Sequence, residues 1–113
     1  MKFTCNINTE IKAADIPELT EELIFCEGFN KTIGENILPD TLETIKFGMC
    51  FNQLIGLNIL PNSLKSIVFE GSFNRQIGLN ILPNSLESIV FGWAYEQPIE
   101  PNVLPSSLKS IKF

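Results

Sequence analysis

The apolar positions of this chain recur with a period of 22 residues. All nine phenylalanines fall into two columns at that spacing. Phe3, Phe25, Phe47, Phe69, Phe91 and Phe113 form the first. Phe29, Phe51 and Phe73 form the second, which Tyr95 continues. Such a strict period marks a stack of near-identical turns, each covering the next. In the clearest turn the core positions are Leu60, Leu64, Ile67, Phe69, Phe73, Ile77 and Ile81. Burying one such set does not offset the entropy of ordering a whole turn, so a lone turn cannot fold. Stacking is what makes the sequence viable.

The period also divides the chain. Residues 16–37, 38–59, 60–81 and 82–103 are four repeats, and 104–113 is a partial one. Residues 1–15 read as an N-terminal half-turn or cap, with Phe3, Ile7-Asn8 and Ile11 where later turns have Phe, Phe-Asn and Ile. The whole is one domain. Within a turn, Leu64-x-x-Ile67-x-Phe69 alternates inward and outward positions, as a strand does. The pattern recurs at Met1–Phe3, Leu23–Phe25, Ile45–Phe47, Ile89–Phe91 and Ile111–Phe113. Identical strands one repeat apart must run parallel. The expected fold is therefore mainly β, a solenoid with one parallel sheet of about six strands. No helical period is present, so the return arm is extended or holds one short 3₁₀ turn. Gly48 and Gly92 suit a sharp exit from the sheet, while Gly34, Gly56 and Gly78 read as the true turn positions.

Composition narrows the function. The net charge is −5, and no basic stripe suggests nucleic acid. No apolar run approaches a membrane span, and the start lacks the apolar core of a signal peptide. Three cysteines, an odd count, point to reduced thiols and a cytoplasmic setting, host cytoplasm if the protein is viral. The chain has no histidine, which removes the commonest general base and metal ligand. With no phosphate loop or clustered carboxylate pair either, neither an enzyme nor a cofactor is expected.

The columns Leu-Pro-x-Ser/Thr-Leu-x-x-Ile-x-Phe-Gly and Phe-Asn-x-x-Ile resemble the FNIP repeat, found in slime-mould and giant-virus proteins and related to leucine-rich repeats. The resemblance spans Ile16 to Phe113, and Gln97-Pro98-Ile99 keeps the proline of the consensus, where other turns have Thr32, Leu54 or Gln76. It implies a right-handed, leucine-rich-repeat-like solenoid that binds protein. Some relatives carry an F-box, but nothing in this sequence corresponds to one.

Candidate sites lie where columns break their pattern. On the outward sheet face one row is Lys2, Ile24, Lys46, Val68, Val90 and Lys112, beside Glu22, Thr44, Ser66, Ser88 and Ser110. Val68 and Val90, flanked by small serines, make an apolar strip between lysines. Trp93, the only tryptophan, is either an exposed anchor or a cover over the end of the solenoid. Asn8, Asn30, Asn52 and Asn74 form a column closed by Glu96, read as structural. Asn36, Asn58, Asn80 and Asn102 read as turn chemistry. Cys5 and Cys26 fall on adjacent turns, within possible disulfide reach, though inert thiols are the ordinary expectation. The chain therefore reads as a protein-binding module using its outward sheet face. The alternative is a structural unit that self-associates through its C-terminal edge strand, where Phe113 has no turn to cover it.

Overall fold

The computed structural model describes residues 2–5 and 9–113. Six strands form one parallel sheet in chain order: β1 (Lys2–Cys5), β2 (Glu22–Phe25), β3 (Thr44–Phe47), β4 (Ser66–Phe69), β5 (Ser88–Val90) and β6 (Ser110–Lys112). From β2 onward the register steps by one repeat, with Thr44 opposite Ser66 and Ile45 opposite Ile67. Inward and outward residues alternate as the sequence predicts, so β4 buries Ile67 and Phe69 and leaves Ser66 and Val68 half-covered. Among the described residues the helical content is one 3₁₀ turn, Ala13–Asp15, in the first return arm.

The core is two columns of stacked rings. Phe25, Phe47, Phe69, Phe91 and Phe113 follow one another at 5.3–5.7 Å between centroids, within 17° of parallel. Phe29, Phe51, Phe73 and Tyr95 run alongside at 5.8–6.1 Å. Within each turn the two columns meet face to face at 3.9–4.5 Å. The aromatic period in the sequence is thus an aromatic ladder, in which an interior ring is covered from both neighbouring turns. Burial raises the pKa of the Tyr95 hydroxyl above its ordinary value.

The first turn departs from the period. Phe3 lies opposite Leu23 and Cys5 opposite Phe25, so the step there is two residues shorter than the sequence pattern implies. Cys5, fully buried, stands at the head of the first ring column, and Phe3 does not. The row assignments shift with it: Lys2 faces Glu22, and Thr4 faces Ile24. The expected places of Ile7 and Asn8 fall outside the described residues. Thr20, in a column of leucines, is fully buried, and its hydroxyl donates to the Pro17 carbonyl at 2.7 Å.

The turn chemistry is also displaced from its expected place. No glycine among the described residues has a positive φ. Asn36, Asn58, Asn80 and Asn102 do, at 62–68°. Asparagine is the non-glycine residue best suited to that left-handed conformation. Gly34, Gly56 and Gly78 are therefore not the turn positions expected of them. Gly48 and Gly92 serve close approach instead. A Cβ would stand 2.7 Å from the Cys26 carbonyl oxygen at Gly48, and 2.6 Å from that of Glu70 at Gly92. At Gly56 the nearest contact would be Ile59 Cγ1 at 3.9 Å. Gly92→Ala is expected to lose about 1–3 kcal/mol in urea unfolding. Gly56→Ala should be neutral or gain up to about 1 kcal/mol through the unfolded chain. Equal losses at the two sites would contradict this assignment.

Candidate functional site

Side chains that stitch the turns together must be set apart before a site can be located. Asn30 Oδ1 accepts the Asn52 amide at 2.8 Å, Asn52 Oδ1 the Asn74 amide at 2.9 Å, and Asn74 Oδ1 the Glu96 amide at 2.9 Å. Each asparagine thus satisfies the backbone of the next turn, not its neighbour's side chain. The following residue reaches back to the same asparagine: Gln53 and Gln97 through Nε2 and Arg75 through Nε. Glu96 ends the column. These polar side chains join one turn to the next, with Asn8 outside the described residues.

A second ladder escapes the sequence reading. The hydroxyls of Thr41, Ser63, Ser85 and Ser107 donate at 2.6–2.8 Å to the carbonyls of Thr20, Leu42, Leu64 and Leu86 in the turn before. The signal for it was present, because that column holds only hydroxyl residues in these four turns. Backbone carbonyls add to the stitching. Glu43 oxygen takes the amides of Lys65 and Ser66, and Lys65 oxygen those of Glu87 and Ser88.

The outer sheet face carries side chains outside both ladders. Ile24, Lys46, Val68 and Val90 lie half-buried in one row, and Lys112 continues it exposed. Ser66 and Ser88 sit beside the valines, and Ser88 Oγ donates to Ser66 Oγ at 3.1 Å. Lys2, expected in the valine row, lies in the serine row, and Thr4 takes its place. Lys46 approaches Glu70 at 3.9 Å, and Lys109 approaches Glu87 at 4.0 Å.

Trp93 stands just beyond this face, three residues past Val90, and is 77% exposed. It does not cover the end of the solenoid; that reading is corrected. Its column contains Met49 and Gly71, and the Met49 side chain lies over Gly71, where a Cβ would meet its Cε at 3.0 Å. Phe113 is 75% exposed, although its inner face stacks on Phe91 at 5.4 Å.

Other surfaces carry less chemistry. An open groove of about 630 Å³ lies along the proline column, lined by Pro17, Pro39, Pro61, Ile37 and Ile59 among others. None of the three cysteines is in a disulfide, with Cys5 buried, Cys26 half-buried and Cys50 exposed. The Cys26 amide donates to the Cys5 carbonyl at 3.0 Å, so these two residues are neighbours without a disulfide. Among the described residues no set of three or more Cys, Asp or Glu is placed to hold a metal ion. No helix there is long and apolar enough to cross a membrane.

Comparison with known proteins agrees with this geometry. Among solved structures the chain is similar to CroV588, a giant-virus protein described as a novel circular LRR protein structure. The two share 49% identity over 81% of this chain, with a TM-score of 0.80. The match covers 14% of CroV588, so this chain spans a small part of that protein's length. No curated protein matches. The description FNIP Repeat matches residues 8–50, 51–92 and 73–113. These matches, which together run from residue 8 to residue 113, place this protein in the FNIP-repeat family.

Proposed function

We propose that the protein is an interaction module that holds a protein partner on the outer face of its sheet. A leucine-rich-repeat-like solenoid is a scaffold commonly used for interactions, which supports the general reading. The observation that carries the particular one is the row of Val68 and Val90. These two apolar side chains are half-open to solvent and bordered by the small Ser66 and Ser88. They take no part in the ring columns, the asparagine ladder or the hydroxyl ladder. Trp93 adds an exposed aromatic at the border of the same face, a residue type that often anchors interfaces. The reading includes no catalysis.

A second reading rests on Phe113, whose outer face is bare, beside the free edge of β6. A second copy could cover that ring and pair with that strand.

The readings separate by experiment. Val68→Glu/Val90→Glu should remove partner capture while the circular dichroism of the sheet stays unchanged. A matched Leu54→Glu/Leu79→Glu variant, charging exposed leucines of the return arm, should capture normally. The reverse pattern would move the interface off the sheet. Light scattering over rising concentration tests the edge. A constant monomer mass would exclude self-association, and a mass increase that Phe113→Ser abolishes would support it.

A further inference from the structure

Resting on the outer-face reading, we infer that the partner is an extended segment with an acidic side chain at each end of an apolar one, lying across the strands. The row on the sheet supplies the template. It runs Lys46, Val68, Val90, Lys112, one residue from each of four adjacent strands, in register. Strands stand about 4.8 Å apart, so the two lysines are about 14 Å apart at the backbone. An extended peptide points every second side chain the same way, at steps of about 6.7 Å. Its residues i and i+4 therefore span about 13 Å, which matches the lysine pair. Residue i+2 then falls midway, over the junction of Val68 and Val90.

The surroundings favour this occupant. The track has Ser66, Ser88 and Ser110 along one side and Gly48, Glu70 and Gly92 along the other, where Glu70 alone carries a side chain. A helix would rest on the strip along one line, whereas an extended chain can lie in it and offer backbone groups to the serine hydroxyls. The charge is also complementary. The chain as a whole carries −5, yet this end of the face gathers Lys46, Lys65, Lys109 and Lys112 against Glu43, Glu70 and Glu87. Glu70 lies 3.9 Å from Lys46 and Glu87 lies 4.0 Å from Lys109. Among the described residues Lys65 and Lys112 have no ion-pair partner. A basic patch on an acidic molecule selects against most of the molecule's own surface and for an acidic ligand.

The test uses fluorescein-labelled peptides of about nine residues in a Ser/Thr framework, with valine at the centre. The flanking pair, four residues apart, is Asp-Asp, Asn-Asn or Lys-Lys. Fluorescence anisotropy with the full chain at low salt should show the Asp-Asp peptide bound at least about tenfold tighter than the Asn-Asn peptide. The charge-reversing Lys46→Glu/Lys112→Glu variant should prefer the Lys-Lys peptide. Equal binding of the three peptides by the natural chain overturns the inference, as does a variant that keeps the Asp-Asp preference. Tighter binding of a short oligothymidylate than of any peptide also overturns it. If the peptides fail while Val68→Glu/Val90→Glu still removes partner capture, the outer face stands as the interface and only this ligand chemistry falls. If neither effect occurs, both fall together.

Discussion

Face-to-face contact between turns is the interaction on which everything else in this protein depends. No turn has an interior of its own. Phe69 is buried because Phe47 lies below it and Phe91 above it, at 5.3 and 5.7 Å. The polar chemistry follows the same rule. An asparagine carbonyl finishes the next turn's backbone, and a serine hydroxyl donates to the previous turn's carbonyl. Apolar burial, ring stacking and hydrogen bonding thus run along one axis. A change in one turn is felt first by its two neighbours.

That arrangement divides the surface into columns with different freedom. Inward columns must supply large apolar side chains. Bend columns must supply a backbone acceptor or a left-handed residue. The two outward columns of each strand meet neither demand, since their side chains leave the sheet away from the rings. A binding surface can vary there without cost to the stack. Such variation is what the row from Thr4 to Lys112 displays, with threonine, isoleucine, lysine and valine in turn.

Much of this was legible in the sequence. The spacing of the phenylalanines implied the parallel sheet, the turn length and the buried columns, because one residue type repeated in register leaves a single stacking solution. Several details were not read. Phe3 fits the period, yet Cys5 holds the core position. The first step is two residues shorter than the others and brings Cys5 level with Phe25. The turn position was misassigned because three of the four complete turns carry, two residues apart, both a glycine and an asparagine able to adopt a left-handed conformation. The deciding clue was available: Glu100 breaks the glycine column, whereas Asn102 keeps the asparagine column. Exposure of Trp93 depends on where the following turn lies, which residue order alone does not state.

If shared burial between turns is the source of stability, a ring covered on both sides must matter far more than the same ring covered on one. Urea unfolding of Phe69→Ala and Phe113→Ala compares the two within one column. The expected loss is about 3–5 kcal/mol for Phe69→Ala. It should be under about 1 kcal/mol for Phe113→Ala, whose ring is 75% exposed. Similar losses at the two positions would contradict the account, because each turn would then be holding itself.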